Sequence, residues 1–329
     1  MSTNNLSTPA SGRFSLSAAA LHILAMVLML MDHLWATLLP AQDWLTCAGR
    51  LAFPIFAFMA VEGYFHTHSF RKYALRLALF AVLSEVPFDL MYGGTWFYPV
   101  HQNVIWTLLL GLLGIHLMET VRKKQKTWLY LLTALLVVLI GTVLGTLSMV
   151  DYYGTGVLTI FIFYFFRGRK WWCLAGQLLA LYWVNVQLLG GLLYPVHIFG
   201  MEFEICQQGL ALLALLPIWL YRGRQGYHSK PFQYACYAFY PVHMLILVLI
   251  LQYLTRGRPY QHLQTSVKLD VYKRQVQSQS AINSIINIYM FGPLLIFVGV
   301  LIVGLLYQLD KKYPAIMKEL AEREARGEL

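Results

Sequence analysis

Charge is what this sequence has least of. Of its 329 residues only 12% are Asp, Glu, Lys or Arg, while 58% are hydrophobic. A soluble globular chain carries roughly 25% charged and about 45–50% apolar residues. The shortage excludes a soluble domain, and an aromatic content of 15% excludes a disordered chain. Cysteine is scarce as well: Cys47, Cys173, Cys206 and Cys236 are scattered at spacings that suit neither a disulfide framework nor a metal site, and read as apolar filler. The sequence contains no glycine-rich phosphate loop, no zinc-ligand spacing and no serine-nucleophile elbow, so no metal is implied. The net charge of +10 does not point to nucleic acid, because the basic residues sit in short clusters between apolar runs. Membrane proteins fix their orientation by that pattern.

The reading is an integral membrane protein of the all-α class, a polytopic transmembrane helix bundle. A span needs about 20 largely apolar residues, and nine native segments qualify: 18–39, 46–66, 70–91, 101–119, 127–150, 154–167, 171–190, 204–221 and 235–255. The sixth is short, and the fifth has candidate breaks at Gly141 and Gly145. The first is too long for a signal peptide and lacks a small-residue cleavage site, so it should be retained. Arg13, the pair Arg71 and Lys72, the run Arg122 to Lys126, the run Arg167 to Lys170, and Arg222, Arg224 and Lys230 all fall on one side of this threading. Loops after the first, third, fifth and seventh spans contain no Lys or Arg. The rule for positive residues therefore places the amino terminus in the cytoplasm.

Residues 1–17 form a cytoplasmic tail, 18–255 the transmembrane domain, 256–280 a linker and 281–329 an extra apolar helix with a charged tail. The linker breaks the charge rule, since Arg256, Arg258 and Lys268 would lie outside. Within it, Asp270-Val271-Tyr272-Lys273-Arg274-Gln275 resembles the translation of a transposon mosaic-end adapter from sequencing libraries. The apolar segment 281–307 and the following Tyr307-Gln308-Leu309-Asp310-Lys311-Lys312-Tyr313-Pro314 resemble the carboxyl-terminal end of glycoside–pentoside–hexuronide:cation symporters. The expectation is a foreign tenth span joined at a chimeric junction; an ordinary tenth span with an amphipathic tail is the alternative.

Charges that do occur in the spans are concentrated in the first three: Asp32, His33, Arg50, Glu62, His66, Arg76, Glu85 and Asp89. The segments 127–150 and 171–190 carry none. A charge near the bilayer centre costs about 2.5–3.5 kcal/mol on insertion scales, so such a group persists only when it faces a partner or water inside the bundle. Intramembrane ionisable residues mark candidate sites. Helical spacing puts Glu62 over His66, Glu85 over Asp89, and His22, Met26, Met29 and His33 on one stripe. By depth, His33, Arg50, Glu85, Asp89, Asn103 and Asp151 fall toward the outer half, and Glu62, His66, Arg71, Lys72 and Arg76 toward the cytoplasm. His243, two residues after Pro241 in the ninth span, suits equally a core histidine bonded to a carbonyl that the proline frees and a functional one.

Ordered blocks carry a resemblance to the TraX family. His22-Ile23-Leu24-Ala25-Met26 through Met31-Asp32-His33 is similar to the family's opening, and Gly49-Arg50-Leu51-Ala52-Phe53-Pro54 with Val61-Glu62-Gly63-Tyr64 to its second block. Tyr73-Ala74-Leu75-Arg76-Leu77, Ser84-Glu85-Val86-Pro87-Phe88-Asp89, Asn103-Val104-Ile105-Trp106-Thr107-Leu108, Asp151-Tyr152-Tyr153-Gly154 and Tyr240-Pro241-Val242-His243 continue it, over about residues 18–255. His22 departs from the lysine expected there. The family is named for acetylation of the amino terminus of conjugative pilin, and it resembles membrane acyltransferases that use acyl-CoA and a histidine of the first spans.

The resemblance implies a membrane acetyltransferase drawing on acetyl-CoA, with an amine or hydroxyl acceptor on a pilin or an envelope glycan, and membrane lipid as its other partner. Such chemistry needs a base, and a donor or cation for the oxyanion. His33 is the candidate base, oriented by Asp32 or Glu85; adjacent helical residues point about 100° apart, so Asp32 pairing with Arg50 is the alternative. Arg76, with Arg71 and Lys72, would hold the nucleotide phosphates at the cytoplasmic mouth, and Asn103 and Thr107, at i and i+4, would donate to the thioester carbonyl. A proton-coupled transporter or permease is the competing reading, since acid–His–Arg clusters also serve as proton relays. A membrane scaffold for envelope assembly would not need the buried charges. Amplifying the locus from genomic DNA should show the reading frame interrupted at residue 270; an uninterrupted frame through that point defeats the chimera.

Overall fold

Four of the described helices start at a short polar cap. Ser17 accepts from the Ala20 amide at 3.2 Å, opening α1 (Ala18–Thr37). Ser69 opens α4 (Phe70–Tyr92), Asn103 opens α5 (Val104–Arg122) and Ser229 opens α10 (Lys230–Leu254), each accepting from an amide of the first turn. Such side chains satisfy donors that the helix leaves without partners. Between them lie α2 (Asp43–Gly49), α3 (Ala52–His66), α6 (Thr127–Leu147), α7 (Tyr153–Phe165), α8 (Trp171–Tyr182) and α9 (Leu215–Leu220). The computed structural model describes residues 15–198, 201–227 and 229–255. The expected junction at 270–275, the apolar segment 281–307 and the charged tail lie outside the described residues, as does most of the amino-terminal tail with Arg13.

Each of the nine expected spans contains helix within the described residues, and the all-α bundle of a multi-pass membrane protein is borne out. Six helices are long and apolar enough to cross a membrane: 18–37, 43–66, 104–122, 127–147, 171–189 and 230–254. α4 is long enough but carries Arg71, Lys72, Arg76, Glu85 and Asp89, and α7 and the helical run 208–220 are shorter. The expected break at Gly141 or Gly145 does not occur, since α6 continues to Leu147. Instead the second span breaks at Arg50 and Leu51, where the chain turns before Pro54 enters the first turn of α3, a position that tolerates a missing N–H.

Two further departures concern the stretch before the eighth span. α8 runs into a π-helical turn, Trp183–Leu189, ended by Gly190 and Gly191 at φ of 62° and 118°. A two-stranded antiparallel hairpin follows, β1 (Leu193–Ile198) and β2 (Met201–Cys206), with Leu193 opposite Cys206 and Ile198 opposite Met201. The eighth helical segment thus begins at Gln208 rather than 204, as a 3-10 turn leading into α9. Met201-Glu202-Phe203-Glu204-Ile205 alternates apolar and acidic residues with a period of two, which is a strand pattern and not a helical one.

α7 is the axis of the bundle. Every residue from Gly154 to Tyr164 is buried, matching a sequence that is apolar on all sides. It packs on α3, α5, α6 and α8, while α1 packs on α2, α3 and α10. α10 also packs on α4, so the last described helix closes the bundle against the first. Glycines allow the closest approaches: a Cβ at Gly111 of α5 would stand 2.6 Å from Ile160 Cδ1, and one at Gly114 2.8 Å from Phe161 Cζ. Small residues let membrane helices pack through their backbones. At Gly154 an added Cβ would strike the Thr142 carbonyl oxygen of α6, which is backbone and cannot swing away. Gly154→Ala should therefore cost about 1–3 kcal/mol and lower the melting temperature of the detergent-purified protein by several degrees; an unchanged value would mean that α6 and α7 do not meet this closely.

Candidate active site

Late in α1, Asp32 and His33 point to different partners, as residues about 100° apart on a helix must. Asp32 turns to α2 and the turn that follows it. Thr46 Oγ1 donates to Asp32 Oδ1 at 2.7 Å, and Arg50 Nη2 donates to the same oxygen in an ion pair. Gly49 makes room for this: a Cβ there would stand 2.7 Å from Asp32 Oδ1. Arg50 is held further by Nε donating to the Thr46 carbonyl at 3.3 Å, and Nη1 reaches Gln208 Oε1 at 3.5 Å. Gln208 Nε2 donates in turn to Asn185 Oδ1 at 3.0 Å, and Asn185 Nδ2 to the Leu181 carbonyl at 2.8 Å. The guanidinium is thus tied to the π-helical turn across the bundle.

His33 faces α10 instead. Its Nδ1 lies 2.6 Å from His243 Nε2, the two rings stacked with centroids 4.9 Å apart. His243 Nδ1 lies 2.6 Å from the Phe239 carbonyl oxygen, which only accepts. The ring therefore carries its hydrogen on Nδ1, and in the neutral imidazole Nε2 is the acceptor. His33 must then donate from Nδ1, which leaves its Nε2 with a lone pair. No hydrogen bond among the described residues takes up that atom. The carbonyl is that of Phe239, four residues back, and not that of Tyr237, which Pro241 leaves without its usual donor.

Both halves of this arrangement wall one cavity of about 410 Å³, within the range of small-ligand sites. Met29, Asp32 and His33 line it from α1, Arg50 and Phe53 from the second span, and Tyr240 from α10. Trp35, His101, Tyr153 and Gly190 place its mouth at the end of the bundle that bears the 38–42, 93–103, 148–152 and 190–192 connections. Tyr152 and Tyr153 have φ of 61° and 50°, two consecutive bulky residues in the left-handed region, at a cost of order 1–3 kcal/mol each. Asp151 Oδ1 accepts from the Tyr152 amide at 3.1 Å and Tyr152 stacks on Phe53 at 4.2 Å, which holds the strained turn against the cavity.

Other expected site residues lie elsewhere. Glu85 does not reach His33: its Oε2 accepts from Trp106 Nε1 at 2.9 Å and from Asn103 Nδ2, binding α4 to α5. Asn103 caps α5, accepting from the Ile105 amide at 3.1 Å and donating to the Ala81 carbonyl at 2.8 Å. Thr107 Oγ1 donates to the Asp151 carbonyl at 2.6 Å. Their polar atoms serve helix ends and contacts between helices, and neither residue lines the cavity. Arg71 and Lys72 are exposed in the first turn of α4, and Arg76 lies beside the Tyr73 ring at 5.7 Å; none of the three lines the cavity. The structure brings His243, left open between a core and a functional role, up to His33, and it adds Gln208 and Asn185, which charge counting missed. The last two are uncharged amides, and both are buried.

The TraX protein family matches residues 17–251. A relative from Dichelobacter nodosus, described as probable fimbrial assembly protein FimC of serogroup H1, is 28% identical over 251 residues, covering 72% of this chain and 96% of its own length. No solved structure matches the chain. For the Asp32–Arg50 pair, Arg50→Ala should destabilise the protein by about 3 kcal/mol, because it strands a carboxylate inside the bundle. Asp32→Leu combined with Arg50→Met should recover most of that loss. Denaturant unfolding of the two single variants and the double variant measures the coupling, and simple additivity would dissolve the pair.

Proposed function

The chain belongs to the TraX protein family, and from that premise and the cavity geometry we propose that it is a membrane-embedded acetyltransferase. It would move the acetyl group of acetyl-CoA to an amine or hydroxyl, foremost the amino terminus of a pilin or fimbrial subunit. The relative described as a fimbrial assembly protein supports that choice of acceptor. The observation that carries the proposal is His33, its Nε2 lone pair spare and its Nδ1–H committed to His243, beside the Arg50 guanidinium in one cavity.

In this reading the acceptor's nitrogen or oxygen attacks the thioester carbonyl carbon, and His33 Nε2 takes the proton it sheds. His243 Nε2 goes on accepting from His33 Nδ1, so the imidazolium that forms has a partner at once. Arg50 donates to the oxyanion, its position fixed by Asp32 on one side and Gln208 on the other. Collapse breaks the C–S bond, and the CoA thiolate leaves with the proton held by His33. Asp32 acts through Arg50, as a positioning residue. The cationic connections gather at the end opposite the cavity mouth, so the rule for positive residues puts that end in the cytoplasm and the mouth outside, where an exported subunit arrives. The membrane is then a bacterial inner membrane.

His33→Ala, inserted normally, should lose about 10²–10⁴-fold of acetyl transfer, read by mass spectrometry of pilins and envelope glycans from cells with and without the gene. Full retained activity would remove His33 from the reaction. Substrate flux into proteoliposomes with no covalent product would favour the proton-coupled permease, which the same buried polar groups suit.

A further inference from the structure

The cavity of about 410 Å³ holds a thioester and the end of an acceptor, but not a whole CoA molecule, so the nucleotide end needs a place of its own. At the opposite end of the bundle lies a second cleft of about 250 Å³. Arg167, Arg169 and Arg222 line it together with a single carboxylate, Glu62, and with Phe58 and Trp219 as apolar walls. Two of the guanidiniums are fixed. Arg167 donates to Glu62 from Nε at 2.6 Å and from Nη2 at 3.2 Å, and it lies over the Phe65 ring at 4.2 Å. Arg169 Nη1 donates to the Tyr221 carbonyl at 2.5 Å, which leaves its remaining N–H groups for a ligand. Arg222 has no acidic partner among the described residues. The Trp219 indole is held by Nε1 donating to Gln177 Oε1 at 2.9 Å.

Three guanidiniums against one carboxylate favour a ligand with more than one negative charge, and planar guanidinium forks suit phosphate oxygens. No residue lines both the cleft and the cavity, but the same two helices, α3 and α7, bound them. α3 contributes Phe56 to the cavity and Phe58 to the cleft. Asp151 and Tyr152, just before α7, line the cavity, and Arg167, two residues after α7, lines the cleft. The 13 residues of α7 span about 20 Å, a separation that an extended phosphopantetheine arm matches. We infer that this cleft binds the phosphorylated nucleotide end of the acyl-CoA donor, with Arg169 and Arg222 on its phosphates and Arg167 fixed by Glu62 beside them. The inference rests on the acetyltransferase reading and adds to it where the donor enters.

The test compares two donors, acetyl-CoA and S-acetyl-N-acetylcysteamine, a thioester that lacks the nucleotide. It uses full-length protein in nanodiscs of phosphatidylcholine, with and without phosphatidylglycerol. Arg169→Ala and Arg222→Ala should each raise KM for acetyl-CoA about tenfold with kcat kept, and leave the truncated donor unaffected. Lys124→Ala, an exposed cation at the same end outside the cleft, should change neither. On the unaltered protein, adenosine 3′,5′-bisphosphate should compete with acetyl-CoA and not slow turnover of the truncated donor, which decides the matter even if the arginine variants fail to fold. An unchanged KM for acetyl-CoA, equal losses with both donors, or bisphosphate that inhibits neither or both would overturn the site while the enzyme stands. An effect seen only in discs with phosphatidylglycerol would assign the cleft to lipid phosphate and overturn it too. If the unaltered protein turns over neither donor, the acetyltransferase reading itself fails.

Discussion

Every ionisable group in an apolar solvent must be met by a partner before helices can pack around it, and that requirement shapes this bundle. Asp32 and Arg50 satisfy each other, and the break between α2 and α3 exists at the residue that makes the pair. Glu85 is met by amide and indole donors, Asn103 and Trp106. Glu62 is met by Arg167 across the opposite end. The first two contacts join consecutive helical segments and the third joins residues 105 positions apart, so the same groups that are costly to bury also fix which helices are neighbours. The apolar residues supply close packing without choosing partners to the same degree, since lipid tails are as apolar as leucine.

The histidine pair follows a different logic. Two neutral imidazoles need no countercharge, and a directed chain of hydrogen bonds from His33 to His243 to the Phe239 carbonyl assigns each ring one tautomer. Two hundred and ten residues separate the two rings. They meet because α10 lies between α1 and α4, and this closure turns two interior histidines into a unit with one lone pair to spare.

Much of the architecture was legible from composition. The nine helical segments, the short α7 and the opposite placement of polar zones follow from apolar run lengths and from where Lys and Arg fall. The pairing of Asp32 with Arg50 was readable as an alternative, since successive residues on a helix cannot share a partner. His243 was visible but undecided, because the carbonyl that would satisfy it and the neighbour that would use it lie at positions that only tertiary packing brings together. Glu85 and Asn103 looked reactive by depth and Thr107 by its spacing from Asn103, yet Glu85 Oε2, the Asn103 amide and the Thr107 hydroxyl are engaged at helix ends and between helices. The hairpin at 193–206 went unread because an apolarity window averages over its alternation of period two. Gln208 and Asn185 escaped for a related reason: uncharged amides barely alter a hydropathy sum, although they are what ties Arg50 to the far wall.

The brevity of α7 has an electrical consequence. Hydrocarbon in a typical bilayer is about 30 Å thick, but between the polar recess above α7 and the one below it only about 20 Å of apolar helix intervenes. A transmembrane voltage drops mostly across the low-dielectric septum, so here the gradient is steeper by about half than in the surrounding lipid. A charge at one margin of that septum is separated from counterions at the other by a thinned insulator, so a membrane potential acts on the bundle's interior over a shorter path than it has in lipid.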